Sequence, residues 1–294
     1  MQLSANGIQL EVDDRGPSNG EPLVMIMGLG MQLVAWPDGL VDLLVDRGFR
    51  VIRFDNRDIG LSQRFDHLGV PHLASAGIRF TLGMPVPCPY RLADLADDTA
   101  ALIAALGLER AHVCGASMGG MVAQHLAVRH PQRVKSLTLM MTTSGSRRLP
   151  QPSLKVRLAL MSRPADPRNL DSVVEHFVKL YGVIGSPGYP TPAALLRERI
   201  GASVRRSYRP AATARQLAAI MADGDRTPLL ARIATPTQVI HGGADPLVPV
   251  ACGRDLSQRI NGAKIDVIEG MGHDLPQPLW PRFRDAIAGI AVRV

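Results

Sequence analysis

Five residues at positions 115 to 119 constrain the fold of this chain more than any other feature. Gly115-Ala116-Ser117-Met118-Gly119 follows the apolar run Ala111-His112-Val113-Cys114 and opens a helix-like stretch that ends near His130. A serine flanked by glycines at such a junction predicts a strand, a sharp turn and a helix, with the serine hydroxyl held clear of the sheet edge. The glycines let the strand and helix backbones approach each other. The pattern alone is therefore consistent with a nucleophile or with a simple helix N-cap at Ser117, and the residues downstream decide between them.

A serine hydroxyl is a poor nucleophile unless a base removes its proton and a carboxylate orients that base. Downstream, the short apolar run Pro236 to His241 ends in a loop that presents Asp245. A second strand-like run, Lys264 to Ile268, leads into a glycine-rich loop that presents His273. Because each of the three residues follows a predicted strand, we predict that Ser117, Asp245 and His273 form a catalytic triad.

The hydrophobic pattern predicts an α/β fold with a mostly parallel central sheet. Six apolar runs are short and do not alternate with polar residues, as expected of strands that are buried on both faces. These runs are Leu23 to Met27, Val51 to Phe54, Ala111 to Cys114, Val134 to Met141, Thr237 to Ile240 and Ile265 to Ile268. Helical patterns lie between them, which predicts helices on both faces. The run Ile8 to Val12 does alternate, so we predict an antiparallel edge strand there.

The alternation of strands and helices stops over residues 142–227, a segment rich in arginine and proline. Short helical patterns are predicted there around Val173 to Leu180, Leu195 to Ile200 and Gln216 to Met221. We predict that this segment is a helical cap inserted into a core formed by residues 1–141 and 228–294. The insertion follows the strand near Met141, which places it above the sheet edge that carries Ser117. A second stretch, Phe65 to Tyr90, is rich in proline and is expected to be an irregular loop that rims the same cleft.

From about Gly7 to about Phe283 the chain resembles the α/β-hydrolases, whose triad has the same order along the sequence. The segment Leu23 to Gly30 is similar to the strand and oxyanion loop of that family, with Met27-Gly28 where many members carry His-Gly. The resemblance implies that the backbone N–H groups of Leu29 and Met118 form the oxyanion hole. Since backbone groups do this work, the side chain at position 29 is free to vary.

The segment Arg53 to Ser62 resembles the Asp-x-Arg-Gly-x-Gly-x-Ser loop of the family, with Asp58 where glycine is usual. With Met27-Gly28 and Ala35-Trp36-Pro37-Asp38, this variant is similar to the aclacinomycin methylesterase-like bacterial carboxylesterases. The resemblance implies a serine esterase that acts on a small-molecule ester through an acyl-enzyme. The string from Ser117 to Met121 also occurs in homoserine acetyltransferases, which leaves acyl transfer as an alternative.

Other activities of the same triad stay open, namely C–C bond hydrolysis, lactonase or perhydrolase activity and proline iminopeptidase-like activity. A silent, ligand-binding member of the fold is the alternative from a different class. We expect Trp36 and Met121 to line the substrate pocket, although Trp36 also suits simple packing of its loop. Asp55 and Arg57 are interpreted as a structural ion pair or a hydrogen-bonded turn, and Asp274 as a loop or capping residue.

The composition limits which binding partners, cofactors and cellular compartment we expect for this protein. The net charge of +7 comes from scattered arginines, and only 4% of residues are aromatic, so no nucleic-acid surface is predicted. The histidines form no metal-ligand motif and the triad requires no cofactor, so none is predicted. Cys88, Cys114 and Cys252 form no C-x-x-C pair, and no run is long enough to span a bilayer. We therefore predict a cytoplasmic enzyme without a membrane partner and leave its oligomeric state open.

Overall fold

A computed structural model of the chain describes residues 1–292 and contains a single mixed sheet in that range. Its eight strands lie in the order β1-β2-β4-β3-β5-β6-β7-β8. The strands are Gln2–Ala5 (β1), Ile8–Arg15 (β2), Glu21–Ile26 (β3), Phe49–Phe54 (β4), Ala111–Ala116 (β5), Val134–Met140 (β6), Thr237–Gly242 (β7) and Lys264–Ile268 (β8). Strands β3 to β8 pair in parallel, and each of the six apolar runs falls in one of them.

Helices cover both faces of this sheet and its carboxyl edge. They are Asp38–Asp46 (α1), Leu73–Thr81 (α2), Leu92–Ala105 (α3), Met118–Arg129 (α4), Leu154–Met161 (α5), Leu170–Ile184 (α6), Ala193–Arg206 (α7), Pro210–Asp223 (α8), Thr227–Leu230 (α9), Val250–Arg259 (α10) and Trp280–Ala291 (α11). Helices α3 and α4 pack together on one face, and α1 and α11 pack together on the other.

The two faces explain why the central strands do not alternate in polarity. In β4, Val51 packs in the cluster beneath α1 and α11, whereas its neighbour Ile52 packs beneath α3 and α4. Val24 and Met25 of β3 divide between the same two clusters, and all four side chains are fully buried. A strand covered on both sides therefore needs apolar residues at successive positions.

The prediction for the edge of the sheet was wrong in one respect. Ile8 to Val12 lies in an antiparallel strand, but β2 pairs with β4 on one side and with β1 on the other, so β1 is the edge. The two strands are joined by Asn6 and Gly7, whose φ angles are 49° and 75°. Asn-Gly with two positive φ angles is the preferred two-residue hairpin connection, so this hairpin was readable from the sequence.

The stretch predicted as an irregular loop contains a helix. Within Phe65 to Tyr90, α2 forms and packs against α8, and the His72 ring caps it by accepting from the backbone N–H of Ser75 at 3.2 Å. Of the α2 side chains only Ala76 is buried, which leaves a weak apolar pattern for sequence reasoning to find. The proline-rich segment that follows α2 is not helical, as expected.

Between β6 and β7 the chain forms α5 to α9. The helical patterns predicted around Val173, Leu195 and Gln216 fall within α6, α7 and α8, while α5 had no predicted counterpart. Val173 and Val174 of α6 and Val204 of α7 form a small cluster apart from the two main ones. The cap boundaries of 142 and 227 stay a prediction. The last two residues of the predicted core segment, 293 and 294, lie outside the described residues.

Candidate active site

The nucleophile candidate sits on a strained turn between β5 and α4. Ser117 has φ 54° and ψ −120°, a conformation that a residue with a side chain rarely adopts. A Cβ at Gly115 would lie 2.3 Å from the carbonyl oxygen of Gly119, and a Cβ at Gly119 would lie 2.0 Å from that of Ile26. Only glycine fits at either position, because each faces the backbone of the neighbouring element. This close approach fixes the Ser117 hydroxyl at the carboxyl edge of β5.

The structure brings Ser117, His273 and Asp245 into one hydrogen-bonded relay. His273 Nε2 lies 3.1 Å from Ser117 Oγ, and His273 Nδ1 lies 2.7 Å from Asp245 Oδ2. The other carboxylate oxygen of Asp245 accepts from the backbone N–H groups of Leu247 at 2.9 Å and Val248 at 2.8 Å. Because Asp245 has a buried carboxylate facing Nδ1, the imidazole proton is held there and the Nε2 lone pair faces the serine.

The loop that carries His273 is fastened to the carboxyl end of α6. The backbone N–H of His273 donates to the carbonyl of Ile184 at 2.7 Å, and that of Gly272 donates to Ser186 Oγ at 2.8 Å. Asp274 hydrogen-bonds the same serine hydroxyl, and burial raises the pKa of its carboxyl. Asp274 therefore faces away from Ser117 and supports the loop.

His241 lies behind the relay. Its Nε2 atom donates to the carbonyl of Val248 at 2.7 Å and lies 3.8 Å from Asp245 Oδ2. The side chain has no exposed surface, and burial lowers the pKa of the imidazole. A neutral His241 therefore holds the segment whose N–H groups bind Asp245, which fits a packed supporting residue.

The two oxyanion-hole candidates flank Ser117. A Cβ built at Gly28, next to Leu29, would lie 3.7 Å from Ser117 Oγ, so this loop passes directly beside the hydroxyl. Met118 is the first residue of α4, where backbone N–H groups have no partner within the helix. Neither the N–H of Leu29 nor that of Met118 donates to another atom of residues 1–292. Two backbone donors without a partner in residues 1–292 thus belong to the segments that adjoin the nucleophile.

Helices α7 and α8 hold the loop of residues 28–32, which we call the oxyanion loop. Gln216 of α8 is fully buried, and its side-chain oxygen accepts from the backbone N–H of Gly30 at 2.9 Å. Gln32 donates to the carbonyls of Ser203 and Ser207, both at 2.7 Å, at the carboxyl end of α7. Arg206 donates to the side-chain oxygen of Gln32 at 2.6 Å. The position of this loop therefore depends on the helices above it.

Two buried carboxylates at the end of β4 also bind these helices. Asp55 accepts from the backbone N–H of Leu33 at 2.7 Å and from Arg206 at 2.7 Å. Asp58 pairs with Arg215 of α8 through two hydrogen bonds of 2.5 and 2.9 Å. Asp58 has φ 74°, which explains why glycine is usual here, and its side chain compensates by forming a buried ion pair. Burial, together with the Asp58 carboxylate, raises the pKa of Tyr90, whose hydroxyl donates to Asp58.

Of the two arrangements predicted for Asp55 and Arg57, the structure shows the hydrogen-bonded turn, in which Asp55 accepts from the backbone N–H of Leu61 at 2.8 Å, and no ion pair between these two residues. Asp55 pairs with Arg206, whereas Arg57 pairs with Asp98 of α3 through two hydrogen bonds of 2.6 Å. Both residues still have structural surroundings, as expected, because both ion pairs tie loops to helices. Each side chain meets its partner on a different element, Asp55 on α7 and Arg57 on α3.

The structure separates the two pocket candidates. The side chain of Trp36 has no exposed surface and packs with Leu40 and Phe49 in the cluster beneath α1, so its prediction as a pocket residue was wrong. Met121 lies one helical turn after Ser117 and is 8% exposed. Its role in a pocket stays a prediction.

Two surface cavities, of about 560 and 360 Å³, are lined by residues other than the triad. The larger lies among His125, Arg129 and Arg232, and the smaller lies between Tyr189 and Pro278. In residues 1–292 no three His, Cys, Asp or Glu side chains converge as a metal site would require. No helix in the same range combines the length and apolar character needed to cross a bilayer.

Sequence reasoning missed the side chains that join α7 and α8 to the oxyanion loop and to Asp58. Gln32, Arg206, Arg215 and Gln216 are remote from the triad in sequence, and a helical pattern alone does not say which residues face the core. One signal was available. Asp58 occupies a position where glycine is usual, and a charged residue there calls for a buried partner.

Comparisons with known proteins agree with this fold. Residues 21–184 match the model of the alpha/beta hydrolase fold family. The chain is 30% identical to rhodomycin D methylesterase DauP of Streptomyces sp. (strain C5), over 93% of this chain and 92% of that protein. It is 28% identical to a 2-hydroxy-6-oxononadienedioate/2-hydroxy-6-oxononatrienedioate hydrolase of Pseudomonas sp., over 90% and 85%. The esterase EaEST of Exiguobacterium antarcticum has a similar structure, with a TM-score of 0.76, 20% identity and coverage of 99% of both chains.

Proposed function

The chain belongs to the α/β-hydrolase fold family, and from this premise we propose that it is a serine carboxylesterase that works through an acyl-enzyme. The observation that carries the proposal is the relay from Asp245 through His273 to Ser117, with contacts of 2.7 and 3.1 Å. A hydroxyl, an imidazole and a buried carboxylate in this order are the parts that acyl transfer to serine requires.

Acylation begins when Ser117 Oγ attacks the ester carbonyl and His273 Nε2 takes the hydroxyl proton. Asp245 keeps the imidazole oriented and stabilises its positive charge. The tetrahedral intermediate then collapses, the acyl–alkoxy bond breaks, and His273 gives its proton to the departing alcohol. Water repeats these steps on the acyl-enzyme, which releases the acid and restores the serine. The chain supplies nucleophile, base and acid itself, so the scheme uses no cofactor.

We assign the oxyanion to the N–H groups of Leu29 and Met118. Both donors lack a partner within residues 1–292 and flank the serine. Each is backbone, so the charge that develops on the substrate oxygen meets dipoles that are already aligned. One such donor contributes about 3 kcal/mol to the transition state, or roughly a hundredfold in rate.

A small alcohol is the leaving group that we propose, with a methyl ester as the first candidate. The support is the 30% identity to a rhodomycin D methylesterase over nearly the whole of both chains. The helices over Ser117 would shape the acyl side of the pocket, with Met121 as one lining residue. Because Met121 has a flexible, polarizable side chain, it suits an apolar acyl group.

C–C bond hydrolysis is the second candidate, because a hydrolase of dienedioates is 28% identical over 90% of the chain. A dicarboxylate substrate calls for cations that are free to bind it. Arg206 and Arg215, which contact the loops beside Ser117, are already paired with Asp55 and Asp58. This arrangement favours the ester over the dicarboxylate.

The proposal is tested by the hydrolysis of methyl and p-nitrophenyl esters by the wild-type protein and by Ser117→Ala. We expect kcat to fall by about a thousandfold or more in the variant, because a triad knockout leaves only the oxyanion hole. Dienedioate substrates, and acetyl-CoA with an alcohol acceptor, belong in the same panel. A folded Ser117→Ala protein with wild-type turnover refutes the proposal, and a preference for another substrate class replaces it.

A further inference from the structure

Helix α5 presents an apolar stripe to solvent. Leu154, Leu158 and Met161 are spaced by four and three residues, so they lie on one face of the helix. Their exposures are 64, 59 and 78%. Val156 lies on the opposite face and is only 2% exposed, so it anchors the helix inward. Apolar residues in register on an outward face are unusual for a protein surface and mark a contact site.

The segment around this stripe is strongly cationic. Residues 147–165 contain five basic and no acidic residues, namely Arg147, Arg148, Lys155, Arg157 and Arg163. Within residues 1–292, none of the five lies within 4.0 Å of a carboxylate. Of the 24 other arginines among residues 1–292, 13 do have a carboxylate partner within that distance, as Arg129 and Arg197 do on the surface. The positive charge here is therefore unneutralised by the protein.

Two cationic side chains of α5 lie beside the apolar stripe. Lys155 and Arg157 flank the stripe on its two sides, and both are exposed. Their long side chains can reach over the stripe toward anionic groups while the apolar side chains enter a nonpolar layer. Arg147 extends the surface to α2, because it donates to the carbonyl of Phe80 and lies 4.9 Å over that ring. On α2, Ile78 is 62% exposed.

We propose that residues 147–163, with α5 at their centre, dock on the surface of an anionic lipid bilayer. A surface that docks on an anionic bilayer needs exposed apolar side chains with Lys or Arg beside them, and this segment has both. We predicted no membrane partner because no run of the sequence is long enough to span a bilayer, but a helix that lies on the surface needs no spanning run. The proposed esterase site and this surface are separate features, so either stands without the other.

Two other occupants of such a surface, a second copy of the chain and nucleic acid, fit its charge and its apolar stripe less well. In a symmetric dimer the patch would face itself, so five unpaired cations would oppose the same five cations of the second copy. Nucleic acid would satisfy the cations, but its phosphate backbone gives the apolar stripe nothing to bind. An anionic bilayer satisfies both parts at once, because phosphate head groups lie directly above an apolar layer.

Vesicle flotation tests the proposal with the full chain at low and physiological ionic strength. We expect binding to vesicles of phosphatidylglycerol and phosphatidylcholine, weakened by salt, and little binding to phosphatidylcholine alone. The double variant Lys155→Gln, Arg157→Gln should bind about thirtyfold more weakly, since each cation contributes about fivefold. The triple variant Leu154→Ser, Leu158→Ser, Met161→Ser should lose at least about tenfold.

A matched control removes the same charge elsewhere. Arg254 and Lys264 are exposed and have no carboxylate partner within the part of the chain that the structure describes. Arg254→Gln, Lys264→Gln should therefore keep wild-type binding. Circular dichroism and turnover of a soluble ester check that each variant is folded.

Four results would overturn the proposal. They are the absence of binding to anionic vesicles at low salt, equal binding to neutral vesicles, equal loss in the control variant, and a dimer in gel filtration that the triple variant dissociates. Binding of duplex DNA that the triple variant leaves intact while vesicle binding is absent would assign the surface to nucleic acid. If no ester is hydrolysed, the vesicle assay still decides this proposal.

Discussion

Replacement of Gln216 by methionine tests whether the contact between α8 and the oxyanion loop affects the rate of catalysis. Methionine keeps the length and volume of the side chain but cannot accept from the backbone N–H of Gly30, which Gln216 does at 2.9 Å. A buried donor without a partner costs about 1–3 kcal/mol. The loss raises the free energy of the docked oxyanion loop relative to arrangements in which water reaches Gly30. Gln216 touches no substrate in this scheme, so it is a positioning residue.

The size of the effect follows from that free energy. If the full 1–3 kcal/mol falls on the docked loop, kcat should drop by about 5- to 150-fold. The upper end equals the loss of one oxyanion donor, which is the most that misplacing Leu29 can cost. KM should change little, because the donor acts on the transition state more than on the bound ester.

A matched control separates positioning from loss of stability. Gln124 is also a fully buried glutamine, and it binds the carbonyl of Thr143 and the side chain of Arg226 rather than the oxyanion loop. Gln124→Met should lower the free energy of unfolding by a similar amount and leave kcat near wild type. Steady-state kinetics and urea unfolding of both variants decide the matter. Equal kcat values in the two variants would show that α8 does not hold the oxyanion loop in its catalytic position.

Three further variants follow from buried groups. Burial raises the pKa of Asp274 above its ordinary 3.8, so the neutral form stabilises the fold at low pH and this contribution is lost as pH rises through the raised value. Asp274→Asn should therefore raise the free energy of unfolding near pH 7 but not near pH 3, and an equal gain at both, measured by urea unfolding, contradicts this. Arg215→Leu should cost about 3–5 kcal/mol of stability by stranding the Asp58 carboxylate, and adding Asp58→Gly should recover part of the loss; no recovery would argue against the buried pair. Gly119→Ala should abolish the folded protein, because its Cβ would lie 2.0 Å from the Ile26 oxygen, and a soluble, active variant on gel filtration would refute that contact.

The sheet and the triad were readable from sequence because their signals are local. Each of Ser117, Asp245 and His273 follows a strand of five or six residues and lies in a turn or loop with glycine close by. Parallel strands place their carboxyl ends at one edge, so three local patterns were enough to predict that the side chains meet. The hairpin at Asn6 and Gly7 had an equally local signal.

The support for the oxyanion loop had no such signal. Gln216 and Gly30 are 186 residues apart, and their hydrogen bond depends on how α8 settles on the core. The burial of Trp36 likewise depends on α1 and β4, which follow it in the chain and contribute residues to the cluster in which it packs. Periodicity predicts that a segment is helical, whereas packing decides which residue of the helix meets which loop.

Covalent labelling of Ser117 as an activated nucleophile is the most direct test of the central claim. The protein is treated with a fluorophosphonate probe, digested and analysed by mass spectrometry, with Ser117→Ala and His273→Ala proteins in parallel. The account predicts one adduct, on the peptide that contains Ser117, with none in Ser117→Ala and much slower labelling in His273→Ala. An adduct on another residue, or equal labelling of the folded Ser117→Ala protein, would contradict it.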